Sequence, residues 1–99
     1  MNARTYSVGR SSITVRFGDI TGSRAEVLVS SDDESLSMSG GVSGAIRRAA
    51  GERIRGEVAR LVPAKAADVL VSSAGNLRAK YILHAITIEF STYAPYGDG

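Results

Sequence analysis

Val27-Leu28-Val29-Ser30-Ser31-Asp32-Asp33-Glu34-Ser35-Leu36-Ser37-Met38-Ser39-Gly40-Gly41-Val42-Ser43-Gly44 runs directly into a helical pattern that ends near Leu61. It reads as a short apolar strand (Val27–Val29), a polar loop (Ser30–Met38), a glycine-rich turn (Ser39–Gly44) and a long helix from about Gly44. A strand, a glycine-rich loop and a helix start together can hold an anion. The first amides of a helix lack internal partners, and the helix dipole adds partial positive charge there. Glycine lets the backbone approach a phosphate closely. A plain strand-to-helix turn has the same spacing, so ligand binding and a bare turn both stay open at this point.

The helix is defined by its stripe. Ala45, Ile46, Ala49, Ala50, Ile54, Val58, Leu61 and Val62 recur at helical spacing, while Arg47, Arg48, Glu52, Arg55 and Arg60 fall largely off that line. Ser43 is placed to cap the start. Gly51 and Gly56 each weaken a helix interior by ~1 kcal/mol relative to alanine, and one of them can divide the segment into two shorter helices. Pro63 ends it.

Towards the N-terminus, Thr5–Val8 and Ile13–Phe17 flank the turn Gly9–Ser12 and read as a β-hairpin, with apolar and polar residues alternating in the second strand. Gly18–Ser23 is a loop. Val27–Val29 and Val69–Val71 are continuously apolar and predict strands buried on both faces, as in a parallel sheet flanked by helices. Ser73–Asn76 is a turn, Lys80–Ile88 is the longest strand pattern, and the tail from Ser91 reads as irregular. The order β-β-β-α-β-β predicts one α/β domain with a mixed sheet and flanking helices. His84, the only histidine, reads as a satisfied core residue of its strand.

Ninety-nine residues suit a single domain. No apolar run approaches the ~20 residues of a membrane span, and the first residues lack the apolar stretch of a secretory signal. There are no cysteines, which excludes disulfides and thiolate metal sites and makes the cytoplasm the expected compartment. A formal charge of +2 is too small to argue for nucleic acid, and the arginine-rich helix reads as a solvated face.

Gly18-Asp19-Ile20-Thr21, the apolar strand, and Gly40-Gly41-Val42-Ser43-Gly44-Ala45-Ile46-Arg47-Arg48-Ala49-Ala50-Gly51 resemble the first half of a macro domain. Asn76-Leu77-Arg78-Ala79-Lys80-Tyr81-Ile82-Leu83-His84 resembles a later strand region of that family. The likeness extends from about residue 13 to 88, with several separated motifs in the right order. It implies binding of ADP-ribose or a related nucleotide. By that resemblance Asp19 accepts from the adenine amino group with Ile20 beside it. Ser39, Gly40, Gly41, Val42, Ser43 and Gly44 would line the loop around the distal ribose and phosphates. A carboxylate suits an exocyclic amine and backbone amides suit a pyrophosphate; Asp19 can equally brace a turn.

The chain departs from the family at three points. Ser30-Ser31-Asp32-Asp33 stands where the family usually has Asn-Ala-Ala-Asn, so Asp33 replaces the asparagine tied to catalysis in its hydrolases. Asp33 is therefore the candidate catalytic base. Ser43 replaces an aspartate that helps to activate water. Asp32, Asp33 and Glu34 bring three carboxylates towards the expected diphosphate, and like charges 4 Å apart repel by roughly 4 kcal/mol at an effective dielectric of 20. A solvated acidic loop is the leading resolution; a divalent cation bridging these three residues and a site that has lost its ligand are the others. These departures set binding above hydrolysis of ADP-ribosyl or O-acetyl-ADP-ribose bonds, with a structural self-associating module as a further alternative.

The family also implies more chain. Macro domains continue past this length with further strands and a second glycine-rich phosphate loop, and no such loop follows Gly75. The absent strands would lie between the hairpin and the Val27 strand. The resemblance therefore predicts a truncated macro-like domain, its sheet completed by rearrangement or by a partner chain, with a homodimer as the default, or else a fragment of a longer protein.

Overall fold

The structure, a computed structural model, describes residues 3–88. The tail expected to be irregular lies outside the described residues. In chain order the elements are β1 (Ala3–Val8), β2 (Ser11–Arg16), a 3₁₀ turn (Ile20–Gly22), β3 (Val27–Asp33), α1 (Gly41–Ala50), α2 (Arg53–Ala59), β4 (Val69–Ser73) and β5 (Tyr81–Ile88). The mixed α/β architecture is the one expected, but the strands form two sheets. β1 and β2 make an antiparallel hairpin, and β5 is the centre of a three-stranded sheet, parallel to β3 and antiparallel to β4.

Register sorts the residues of the larger sheet by face. Across β3, β5 and β4, one set of rows runs Leu28–Ile82–Ser72 and Ser30–His84–Leu70, followed by the pair Asp32–Ile86. Period-two alternation puts all of these on one face, and α1 and α2 cover it. Ile46, Ala50, Ile54 and Val58 of the helical stripe pack there with Leu28, Ile82 and Ile86, and the loop adds Leu36 and Met38. The opposite face carries Val27, Val29, Tyr81, Val69 and Val71, all exposed. The expectation that Val27–Val29 and Val69–Val71 are buried on both faces is therefore not met: one apolar face lies uncovered.

The two boundaries that flank the glycine-rich loop differ from the expectation, and both differences have a cause. Ser30–Asp33 belongs to β3, not to a loop, because β5 pairs with the strand along its whole length. The helix starts at Gly41, and Gly40 at its cap position makes no side-chain hydrogen bond. Ser43 thus sits inside the first turn and caps nothing. The helical segment divides at Gly51 (φ 96°), one of the two glycines expected to break it. The end of α1 is then received by the β4–β5 turn. The Asn76 amide donates to Ala50 O at 2.9 Å. Gly75, at φ +57°, comes so close that a Cβ there would lie 2.3 Å from Ala50 O. No helix among the described residues is long and apolar enough to cross a membrane.

Candidate functional site

β3 delivers two aspartates to its C-terminal end, and both turn inwards. Asp32 is on the helix-covered face with Leu28 and Ser30. Its Oδ1 accepts from Ser30 Oγ at 3.2 Å and from the Ser43 hydroxyl of α1. Its Oδ2 lies 2.7 Å from His84 Nδ1, and both side chains are fully buried. Ser72 Oγ of β4 is 2.7 Å from His84 Nε2. One chain of polar contacts thus crosses β4, β5 and β3 and ends in the first turn of α1. His84 is a satisfied core residue, as its strand position suggested.

Asp33 holds the loop. Its Oδ1 accepts from the Ser35 amide at 2.8 Å, the Ser35 hydroxyl at 2.6 Å and the Ser37 amide at 3.3 Å, while the Ser37 hydroxyl donates to Oδ2. Burial pushes the Asp33 carboxyl up, but the Ser35 and Ser37 hydroxyls and amides outweigh it and hold the group below the usual carboxylate range. The expectation of a solvated acidic loop is corrected here: Asp32 and Asp33 are buried and bonded. Nor do Asp32, Asp33 and Glu34 converge on a cation. Among the described residues, no group of three His, Cys, Asp or Glu side chains could hold a metal ion.

With its base tied by Asp33, the loop closes back on α1. Leu36 and Met38 take left-handed backbone angles (φ 53° and 48°), an uncommon conformation for such residues. Their side chains are buried in the core and fix the turn. Gly44 packs close to the loop: a Cβ there would sit 3.2 Å from the Ser39 carbonyl carbon and 3.3 Å from Arg48 Nη1. Ser39, Gly40 and Ser43 line a small cleft of about 120 Å³ together with Ser31, Asp32, Asp33, Met38 and Ile88. Gly41 and Val42 are exposed at the helix start, outside that lining.

Asp19 and Ile20 lie in a different hollow. Asp19 Oδ1 accepts from the Thr21 amide at 2.9 Å and the Thr21 hydroxyl at 2.7 Å. The Thr21 hydroxyl is the main cause, with the Thr21 amide second, that holds the exposed Asp19 carboxyl below its ordinary value. Ile20 packs against the core, and its 3₁₀ turn contacts α1. An open groove of about 640 Å³ runs here, lined by Thr14, Arg16, Gly18, Asp19, Ile20, Gly22, Ser23 and Arg24. Ligand pockets commonly measure ~300–1,000 Å³. The groove falls in that range; the cleft suits only a phosphate- or sugar-sized group.

A family model described as Macro domain matches residues 29–95. The chain belongs to the macro-domain family. An uncharacterised protein of Aeropyrum pernix is 34% identical over 86 residues, covering 87% of this chain and 46% of its own length. O-acetyl-ADP-ribose deacetylase 1 of Pantoea vagans is 42% identical over 83 residues, covering 80% of this chain and 48% of its own. Among solved structures, the Oceanobacillus iheyensis macrodomain with ADP superposes with a TM-score of 0.78 at 25% identity, over 86% of this chain and 48% of that one. The chain therefore spans about half the length of these three relatives.

Sequence reasoning located the loop of this macro domain but missed what holds it. Ser30, Ser72 and the coupling of His84 to Asp32 were not singled out, nor were Arg16 and Arg24 beside Asp19. A signal for the buried chain was present. Leu28, Ser30 and Asp32 alternate along one strand, and Ile82, His84 and Ile86 along another, so the polar residues share the apolar face.

Proposed function

We propose that this chain binds an ADP-ribose-type nucleotide, with the adenosine end in the groove beside Asp19 and Ile20 and the phosphates at the start of α1. One observation carries the reading. α1 begins without a side-chain cap, directly beside a cleft lined by Ser39, Gly40 and Ser43. Unpaired helix-start amides favour an anion. Arg16 and Arg24 add positive charge along the groove. That relatives include a macrodomain solved with ADP and a protein named as an O-acetyl-ADP-ribose deacetylase supports the ligand class.

Binding stands above hydrolysis. Both Asp33 oxygens are engaged by Ser35 and Ser37, and a carboxyl held below its usual range is a weak base near neutral pH. Calorimetric titration with ADP-ribose tests the binding reading. Saturable binding at micromolar ligand, weakened in Asp19→Ala, is expected; no heat at millimolar ligand would reject it. Acetate release from O-acetyl-ADP-ribose, lost in Asp33→Ala, would restore the hydrolase.

The uncovered apolar faces favour a second reading, an interaction module that self-associates without a nucleotide. A homodimer pairing through open strand edges is its solution signature.

A further inference from the structure

A further cavity of about 240 Å³ lies between the loop after β3 and the two helices. Leu36 and Met38 of the loop and Ile54 and Val58 of α2 give it an apolar wall, and all four belong to the buried core. Arg47 of α1 and Arg55 of α2 line it as well, and among the described residues no acidic side chain does. It shares none of its lining with the groove beside Asp19, and only Met38 with the cleft beside Ser39 and Gly40.

The two arginines differ in what they already hold. Arg55 Nη1 lies 3.3 Å from Glu52 Oε1 in a pair open to solvent, and such a pair is weak enough to yield to another anion. The half-buried Arg47 guanidinium makes no hydrogen bond or ion pair among the described residues. A guanidinium carries five donors and takes a carboxylate through two of them at once. Size sets the rest of the ligand: a dry cavity of about 150 Å³ takes up benzene, so this one has room for a single ring and a charged head. The wall itself is strained, since Leu36 and Met38 hold left-handed backbone angles (φ 53° and 48°). Strain of that kind collects at ligand clamps.

We propose that this cavity is a second ligand site, for a small amphipathic anion with one carboxylate on an apolar body about the size of a single ring. The carboxylate pairs with Arg47, with Arg55 as the second cation. The body covers Leu36, Met38, Ile54 and Val58. Either part alone is a poorer fit: a bare anion leaves the apolar wall in water, and a neutral ring leaves Arg47 without a partner. The proposal does not depend on nucleotide binding.

Methyl-labelled methionine in the full chain gives the test. Met38 and Met1 are the only methionines, so the Met38 methyl reports directly on the cavity wall by carbon–proton NMR. Phenylacetate is the probe; acetate lacks its apolar body and phenylacetamide lacks its charge. The expected result is a saturable shift of the Met38 methyl at millimolar phenylacetate, with acetate and phenylacetamide each at least about tenfold weaker. Arg47→Gln weakens phenylacetate at least about tenfold. Arg78→Gln, exposed and outside the cavity lining, leaves it unchanged. Circular dichroism confirms that each variant is folded. Because Arg47 does not line the cleft, its variant separates binding in this cavity from binding there. Three results would overturn the proposal: a Met38 methyl that stays still at tens of millimolar phenylacetate, an equal response to acetate or phenylacetamide, or full binding in folded Arg47→Gln.

Discussion

Removing the His84 imidazole tests the link between core and site most directly. His84 and Asp32 are both fully buried, 2.7 Å apart. His84→Ala strips Asp32 Oδ2 of its partner and leaves a carboxylate in an apolar layer between Leu28, Ile82 and Ile86. Truncating one partner of a buried pair costs about 3–5 kcal/mol, far more than losing a neutral hydrogen bond. Ser30 and Ser43 still serve Oδ1, which argues for the lower end, about 3 kcal/mol. A domain of this size has only roughly 5–15 kcal/mol of stability, so the variant should unfold at much lower urea. Asp32→Ala is expected to cost a similar amount, because it orphans the His84 Nδ1–H and two hydroxyls. The double variant removes both ends and should cost clearly less than the sum. The assay is urea unfolding of the four proteins at one concentration, read as a double-mutant cycle. A loss below about 1 kcal/mol for His84→Ala, or additive single losses, would refute the account of this network. Since His84 is the only histidine, nitrogen NMR of its ring gives an independent readout. A carboxylate accepts and cannot donate, so the Asp32 contact requires the proton on Nδ1.

Acid should weaken the fold through Asp33. Its carboxyl is held below the ordinary value by Ser35 and Ser37, so its stabilising contribution is complete above the unfolded value of about 3.9 and is lost as pH falls through the lower folded value. Asp33→Asn should cost about 1.5–3 kcal/mol at pH 7 and flatten that acid limb in pH-dependent urea titrations. The same variant should weaken ADP-ribose binding by calorimetry, although it removes a negative charge beside the cleft, because the loop loses its anchor. Glycine substitutions should split by sign in thermal melts. Gly75→Ala, with a left-handed φ and a Cβ 2.3 Å from Ala50 O, should cost about 1–3 kcal/mol. Gly56→Ala meets nothing within 4 Å and lies within α2, so it should gain up to about 1 kcal/mol.

The sequence made some of this legible and hid the rest for physical reasons. The hairpin and the helical stripe were readable because their residues obey local periodicity. The break at Gly51 was readable because glycine is a poor helix former. Ser30–Asp33 was misread as a loop because serine and aspartate are poor strand formers in isolation. Their strand conformation is fixed by pairing with β5, some fifty residues further along. Ser43 was misread as a cap because the helix start was placed three residues late, and no local signal distinguishes Gly41 from Gly44. Val27 and Val69 were read correctly as apolar strand residues. Their expected double burial needs a covering layer that the described residues do not supply.

The two aspartates also answer the electrostatic objection to an anion site. Taken as free charges near a diphosphate, they oppose it. In the fold each is committed elsewhere: Asp32 to His84, Ser30 and Ser43, and Asp33 to Ser35 and Ser37. Hydrogen-bond donors crowd their oxygens, so part of each charge is compensated within about 3 Å, where the interaction is strongest. What they accomplish is mechanical. Asp33 sets the exit of the loop from β3, and Asp32 pins the first turn of α1 through Ser43. Between those two fixed points the chain has to cross at Ser39–Gly41 beside the uncapped helix start. Two acids that look hostile to a phosphate therefore hold in place the amides that would receive it.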